Sequence, residues 1–147
     1  MNTETTRVLS AMRPNGRLHL GHYLGVLQNW QQIQYQYKCF FMLADIHGII
    51  NNYQASQQLS ETMNEMVIDW LAAGVDPSQA TIFIQSRVPE HFELASLLGV
   101  ITPLEWLERV PSYKDALDEL EHTDGNTYGL LGSPLLQSAD ILLYNSH

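Results

Sequence analysis

The most informative stretch for the fold of this chain has ten residues and reads Arg13-Pro14-Asn15-Gly16-Arg17-Leu18-His19-Leu20-Gly21-His22. A short apolar segment, Arg7–Met12, precedes it and is typical of a strand. Behind it a helix is predicted from Gly21 to about Gln36, because apolar residues recur there at helical spacing. Those residues are Leu20, Leu24, Leu27 and Trp30. Arg13–His22, called here the signature loop, therefore connects a strand to a helix.

The pattern of a strand followed by a helix continues downstream. Cys39–Ala44 is an unbroken apolar run, which suits a strand buried on both faces. A second helix is predicted from Leu59 to Leu71, with Gly74 as its stop, and Thr81–Ile84 is predicted as the third strand. Alternating strands and helices favour parallel strands joined by crossovers. The sequence thus predicts an α/β, Rossmann-like doubly wound parallel sheet.

After Pro89 the sequence changes to helical patterns. The predicted helices are His91–Val100, Leu104–Val110 and Ser112–His122, followed by a glycine-containing loop at Thr123–Gly132 and a fourth strand at Ile141–Tyr144. A doubly wound sheet is commonly built in two halves. We therefore interpret residues 1–147 as the N-terminal part of a truncated nucleotide-binding domain. A helical insert is expected at about 89–135, and the second half of the domain is expected to be absent.

Composition limits the possible classes of protein. The 147 residues are 45% hydrophobic and 16% charged, which is typical of a globular domain. The net charge of −9 is unusual for a protein that grips RNA, so most RNA contacts are expected outside this chain. The single cysteine, Cys39, is predicted to be a packed core residue. There is no signal peptide and no apolar stretch near the ~20 residues that span a membrane, so a cytoplasmic protein without membrane contact is expected.

The signature loop suits phosphate chemistry. Gly16 allows a tight turn, Gly21 allows close approach to the backbone, and free N–H groups at a helix start attract anions. His19 and His22 are candidate catalytic residues, because they can donate hydrogen bonds to phosphate oxygens as charge builds up. Two alternatives remain open, namely histidines that only cap the helix and a zinc site. A second pair of ligands for zinc is missing, so no metal site is predicted.

The loop resembles the histidine–glycine–histidine signature of class I aminoacyl-tRNA synthetases. The longer string Ser10–Gly25 resembles their tryptophanyl and tyrosyl branch, and tryptophanyl enzymes in particular. This resemblance implies that ATP, with Mg²⁺ as its counter-ion, binds at the signature loop. The implied nucleotide-binding residues are Arg13, Pro14, Asn15, Gly21 and His22, with Gly16 making the turn.

Asp140 is a carboxylate beside a strongly apolar run, and a buried acid needs a hydrogen-bond donor. The donor could be an arginine or a backbone amide of the protein. It could also be a ligand N–H, and indole offers a single one. The surrounding segment resembles the Ala-Asp-Ile-Leu stretch of tryptophanyl enzymes, whose aspartate receives the indole N–H. The resemblance therefore implies that Asp140 binds L-tryptophan.

Three further residues are candidates for the amino-acid pocket. Asp45-Ile46-His47 closes the second strand and resembles the family's Asp-x-His element beside the amino acid; a capping aspartate and a surface histidine are the alternative. Gln137 could bind the substrate's amino group. Leu9 could line the ring pocket, although the residues alone favour plain core for this position. Trp106–Asp115 resembles a stretch of the insert that makes the dimer contact in relatives, and ordinary core is the alternative for Trp106.

The expected function is activation of tryptophan by ATP and its transfer to tRNA(Trp) by a homodimer. Three other functions stay open: a tyrosyl enzyme of the same fold, a small nucleotidyltransferase, and a fragment that binds tryptophan or ATP without chemistry. Nothing in the chain matches the family's lysine–serine loop or its anticodon-reading helices.

Overall fold

The computed structural model describes residues 6–51, 57–119 and 126–146. The chain divides into two compact units. The first, called the sheet unit, comprises Met1–Val88 and Tyr144–His147, and the second, the helical unit, comprises Pro89–Leu143.

The sheet unit is built on three strands, β1 (Arg7–Met12), β2 (Lys38–Leu43) and β3 (Ala80–Ile84). They form one parallel sheet in the order β1-β2-β3, with Arg7 beside Lys38 and Cys39 beside Ala80. Parallel strands place all their carboxyl ends at one edge, where ligands bind in sheets of this class. The predicted α/β fold with three parallel strands is confirmed.

The helices of the sheet unit are α1 (Leu20–His22), α2 (Gln28–Ile33), α3 (Asp45–Asn51) and α4 (Leu59–Ala72). A π-helical segment, Tyr23–Leu27, joins α1 to α2, so the helix predicted from Gly21 is confirmed in a modified form. The wider π turn shifts the apolar face, which leaves Leu20 and Leu24 exposed while Leu27 and Trp30 are buried. α4 ends before Gly74, as predicted, and Gly74 has a φ of +94°.

Aromatic side chains fill the core between the sheet and its helices. Trp30 stacks on Phe41 with ring centroids 4.1 Å apart and meets Trp70 edge-on at 4.8 Å. The indole N–H of Trp30 donates to Ser10 Oγ at 2.9 Å, which ties α2 to β1 just before the signature loop. Cys39 is buried in this core, as predicted, and burial raises the pKa of its thiol.

The helical unit contains α5 (Glu90–Ile101), α6 (Leu104–Leu107), α7 (Pro111–Glu119) and α8 (Tyr128–Leu143). The predicted fourth strand is wrong, because Ile141–Leu143 forms the last turn of α8. The predicted loop at Thr123–Gly132 is wrong in part. Thr127 caps α8 through a bond from the Leu130 N–H to its hydroxyl, and both following glycines are helical. Residues 120–125 lie outside the described residues.

Several apolar side chains of the helical unit are exposed. Trp106 is 65% exposed, so its interpretation as ordinary core is wrong, whereas its neighbour Leu107 is buried. Val100 is 82% exposed, and Leu97, Ile101 and Leu104 are also exposed. In the described part of the chain, no helix is long and apolar enough to cross a membrane.

Candidate functional site

The signature loop begins at the carboxyl end of β1 with a tight turn. The Asn15 N–H donates to the Arg13 carbonyl at 2.9 Å, and Gly16 follows with a φ of +126°. Residues with a side chain rarely adopt this φ, so glycine is required there by the backbone. A Cβ added to Gly16 would meet no atom within 4 Å, so the requirement is conformational and not steric.

The two histidines form a reciprocal cap at the start of α1. His19 is the N-cap, and its Nδ1 accepts the N–H of Gly21 at 3.1 Å. His22 Nδ1 accepts the N–H of His19 at 3.3 Å. An imidazole nitrogen that accepts carries no proton, so the neutral form of each ring carries its proton on Nε2. Both histidines therefore cap the helix and are also equipped to donate from Nε2.

Gly21 makes this cap possible. A Cβ at Gly21 would lie 2.9 Å from His19 Cε1, closer than real Cβ atoms approach, and 3.0 Å from His19 Nδ1. The close approach that glycine was predicted to allow is thus already used by the His19 ring. The His19 ring packs directly on the backbone of Gly21, and both residues are exposed to solvent.

The two imidazoles affect each other's charge. Their ring centroids are 4.0 Å apart. Partial burial and, to a lesser extent, the neighbouring His19 lower the pKa of His22 from its ordinary value of 6.5. A lower pKa keeps His22 neutral at neutral pH, and only the neutral ring can accept at Nδ1 and donate at Nε2. The electrostatics therefore favour the neutral form of His22 that the cap requires.

The first half of the loop rests on α3. Pro14 is buried, and a Cβ at Gly48 would lie 3.2 Å from its Cδ, so the Pro14 ring packs closely on the backbone of Gly48. Arg17 reaches Glu65 of α4 at 3.6 Å on the surface. Arg13, Asn15 and Gly16 are exposed beside this contact. These three predicted nucleotide-binding residues are therefore accessible to solvent, on a loop that is anchored by the packing of Pro14 on α3.

Asp45 and His47 lie where β2 gives way to α3. The strand ends at Leu43, so these residues begin a helix and do not close the strand as predicted. Asp45 Oδ1 accepts the N–H of Ser86 at 3.1 Å, which links the carboxyl ends of β2 and β3. His47 is buried, so its interpretation as a surface histidine is wrong.

A cavity of about 440 Å³ adjoins Asp45 at this edge of the sheet. Met63 and Val67 of α4 supply part of its apolar lining, and Ser86 and Arg87 supply polar groups. Sequence reasoning did not identify these last two residues. Their position directly after the third predicted strand is the signal that could have found them.

Leu9 is half-buried in β1, beside Phe40 of β2. Side chains alternate along a strand. Val8 and Met12 belong to the core around Trp30, so Leu9 faces the opposite side of the sheet. Phe40 contacts Tyr144 on that side, with centroids 5.0 Å apart. Leu9 is therefore available to a ligand on that face.

Asp140 and Gln137 both lie on α8. Asp140 is 3% exposed, and its Oδ1 lies 2.6 Å from Nδ1 of His91, which is 0% exposed. One internal partner of Asp140 is thus a histidine, which differs from the arginine or backbone amide considered from the sequence. Gln137 lies one turn earlier and is exposed. His91 was not identified from the sequence, because a lone histidine in an apolar helix carries no local signal.

Comparison with known proteins places these features in a family. The model of the class I tRNA synthetases for tryptophan and tyrosine matches residues 1–147. The chain is 61% identical over 140 residues to the tryptophan–tRNA ligase of Ralstonia nicotianae, covering 95% of this chain and 35% of that protein. It is 45% identical over 141 residues to the tryptophan–tRNA ligase of Thermotoga maritima, covering 95% of this chain and 43% of that protein.

The fold matches solved structures as well. The crystal structure of tryptophanyl-tRNA synthetase from Campylobacter jejuni complexed with ADP and tryptophan superposes with a TM-score of 0.88 at 32% identity. The match covers 97% of this chain and 43% of that one. The chain thus spans between a third and a half of the length of these relatives.

Proposed function

The chain belongs to the class I tRNA synthetases of the tryptophan and tyrosine branch, and on that premise we propose that its gene product is a tryptophan–tRNA ligase. In the first step the tryptophan carboxylate attacks the α-phosphorus of ATP, giving tryptophanyl-adenylate and releasing pyrophosphate. In the second step the tryptophanyl group passes to the terminal ribose of tRNA(Trp), and AMP leaves. No covalent enzyme intermediate is required.

The observation that carries this proposal is the 61% identity with a curated tryptophan–tRNA ligase, which extends over 140 residues and so includes both the signature loop and α8. The Campylobacter jejuni relative was crystallised with ADP and tryptophan together. Its two ligands agree with the two recognition segments found in this chain, one suited to phosphate and one carrying a buried carboxylate.

ATP is assigned to the signature loop, at Arg13, Pro14, Asn15, Gly16, Gly21 and His22. The Nε2–H groups of His19 and His22 are the proposed catalytic donors, stabilising negative charge on the phosphates as pyrophosphate departs. The cap holds both rings before the substrate arrives, so little reorganisation is needed in the reaction. Removing one such preorganised donor typically costs about 10²- to 10³-fold in rate.

Mg²⁺ is proposed to arrive with ATP. Within residues 6–51, 57–119 and 126–146, no group of three or more His, Cys, Asp or Glu side chains could hold a metal ion. Mg²⁺ often keeps several waters and binds through substrate phosphates instead of a dedicated protein cage. Its proposed role is to neutralise phosphate charge.

Tryptophan is assigned to four residues. Asp140 is the proposed acceptor of the indole N–H, and the exposed amide of Gln137 the proposed partner of the substrate's amino group. His47 is placed beside the amino acid, and Leu9 against its ring. A buried acceptor that phenylalanine would leave unpaired rejects that amino acid strongly, because unpaired polar groups are costly.

Two macromolecular partners are proposed, a second copy of the chain and tRNA(Trp). Leu97, Val100 and Ile101 share one face of α5 and are exposed, as are Leu104 and Trp106. Monomeric proteins seldom expose so much neighbouring apolar surface, so this face is the proposed dimer contact. Sedimentation should then show Val100→Lys as a monomer.

With a net charge of −9, this chain is expected to leave most tRNA contacts to the rest of the gene product, in the cytoplasm.

The proposal is tested by exchange of labelled pyrophosphate into ATP with each of the twenty amino acids. The full-length gene product should exchange with tryptophan alone, and the 147-residue chain run in parallel would show how much chemistry this part retains. Exchange with tyrosine would keep the family and refute the substrate. No exchange with any amino acid would refute the ligase function.

The role of Asp140 is tested by Asp140→Asn. This substitution keeps the shape of the side chain but leaves a single acceptor oxygen where there were two. Tryptophan affinity should fall about tenfold or more, while ATP affinity stays within about twofold. Asp118→Asn, at an exposed position on α7, is the matched control. Equal losses for both ligands would make Asp140 purely structural.

A further inference from the structure

His91 and Asp140 form a deeply buried contact between two ionisable side chains of the helical unit. The side chain of His91 is 0% exposed and that of Asp140 is 4% exposed, and their Nδ1 and Oδ1 atoms are 2.6 Å apart. They lie 49 residues apart in sequence. A buried ionisable pair is costly to form and weak evidence for stability, so its presence calls for another explanation.

The pair joins the beginning of α5 to the end of α8. His91 is the second residue of α5, and Asp140 lies three residues before the end of α8. Further along, Gly99 of α5 lies against Leu135 of α8, with a Cβ at Gly99 placed 3.7 Å from Leu135 Cδ1. The two helices therefore run antiparallel. The amino-terminal end of α5, which carries partial positive charge, supports a carboxylate at this point.

The contact with His91 determines whether Asp140 can accept a hydrogen bond from a ligand. An ionised carboxylate only accepts hydrogen bonds, so His91 must be the donor through Nδ1–H if Asp140 is to accept from a ligand. The neutral imidazole then has its acceptor at Nε2. A carboxylate has two oxygens with about four acceptor positions, so the bond to His91 at Oδ1 is compatible with a second donor.

We propose that His91 is a positioning residue for amino-acid recognition, which holds the Asp140 carboxylate ionised and in one orientation so that it accepts the N–H of an indole. This inference rests on the proposed function of Asp140. His91 touches no substrate in this scheme and acts only through Asp140. The chemical group recognised is a planar aromatic N–H, and the discrimination concerns ligands that differ in that group alone.

The test measures preference, not affinity alone. The full-length gene product is titrated with tryptophan and with 3-benzothienylalanine, in which sulfur replaces the indole N–H. His91→Leu removes the donor and keeps most of the side-chain volume. His91→Asn restores it, because its amide nitrogen lies the same number of bonds from Cβ as Nδ1. Leu136→Ala, which removes a buried side chain from α8, is the control for general loosening of the helix pair.

The wild-type protein should prefer tryptophan over the sulfur analogue. His91→Leu should reduce that preference about tenfold or more, the size of one hydrogen bond to a charged group. His91→Asn should recover most of it, and Leu136→Ala should weaken both ligands equally. If His91→Leu does not fold, His91→Gln takes its place. The amide nitrogen of glutamine lies one bond farther from Cβ than Nδ1 does, so this variant stays polar but displaces the donor from the position of Nδ1.

Three results would overturn the inference. In the first, His91→Leu and His91→Gln weaken both ligands by the same factor, which a purely structural histidine would do. In the second, Leu136→Ala lowers the preference as much as His91→Leu. In the third, His91→Leu still lowers the preference in an Asp140→Asn background, so that it does not act through Asp140. A wild-type protein without any preference would refute the role of Asp140 itself, which separates that failure from a failure of His91.

Discussion

Gly21→Ala should separate the catalytic role of the signature loop from its contribution to stability. The new methyl group would lie 2.9 Å from His19 Cε1, shorter than real contacts, and 3.0 Å from His19 Nδ1, tighter than most real contacts. The backbone of α1 cannot move easily, so the His19 ring must rotate away. It then loses its hydrogen bond from the Gly21 N–H, and its Nε2 points elsewhere.

The expected change in the free energy of unfolding is small. Loss of an N-cap costs about 0.5–2 kcal/mol, whereas alanine in place of glycine within a helix gains up to about 1 kcal/mol. These two contributions nearly cancel. The rate of adenylate formation should nevertheless fall by about 10²-fold, because one preorganised donor is misplaced. Stability and activity should therefore separate.

Gly25→Ala is the matched control, since a Cβ there would meet nothing within 4 Å. Both variants are compared by thermal unfolding and by tryptophan-dependent pyrophosphate exchange in the full-length gene product. Gly25→Ala should exchange at the wild-type rate. If Gly21→Ala exchanges within about twofold of Gly25→Ala, which is about 0.4 kcal/mol, the packing of His19 over the helix start does not contribute to catalysis.

Two further predictions concern the same region. The pKa of His22 is lowered, so a ¹⁵N NMR titration should show it protonating below 6.5, from the Nε2–H tautomer. As the pH falls through that pKa, protonated Nδ1 can no longer accept the His19 N–H, and the stability of the α1 start should be lost; titration above 6.5 would contradict this. Ser10→Ala should lower the free energy of unfolding by about 1–3 kcal/mol in urea, because the buried Trp30 N–H loses its acceptor. The exposed Ser96→Ala should change it by less than about 0.5 kcal/mol, and equal effects of the two would argue against the Trp30 bond.

Local sequence patterns predicted the sheet correctly. Cys39–Ala44 and Thr81–Ile84 are apolar runs, and they coincide closely with the parallel strands β2 and β3. In β2 the consecutive residues Phe41, Met42 and Leu43 are all buried, and burial on two faces demands such a composition. Gly16 and Gly21 stood out for the same kind of reason. One has a φ that only glycine adopts readily and the other has a ring packed on its backbone, so both requirements act within a few residues.

One wrong prediction and one alternative that the sequence left open concern apolar residues whose surroundings lie far away in sequence. Ile141–Tyr144 was predicted as a strand, but a run of four apolar residues has no period that separates strand from helix. The capped helix that begins at Tyr128 simply continues through it. Trp106 could be core or surface on sequence grounds, and it is exposed because Leu107 takes the buried position of α6.

Local sequence patterns were sufficient to predict the parallel sheet, the turn at Gly16 and the pair of histidines at the helix start. Each of these follows from the conformational limits or the periodicity of neighbouring residues. The sequence left open whether His19 and His22 cap the helix, and the structure shows that they do. The pairing of His91 with Asp140, 49 residues apart, depends on tertiary packing. The need of a buried carboxylate for a hydrogen-bond donor can be predicted from the sequence. The identity of the donor is set by the packing of α5 on α8, which no local sequence pattern encodes.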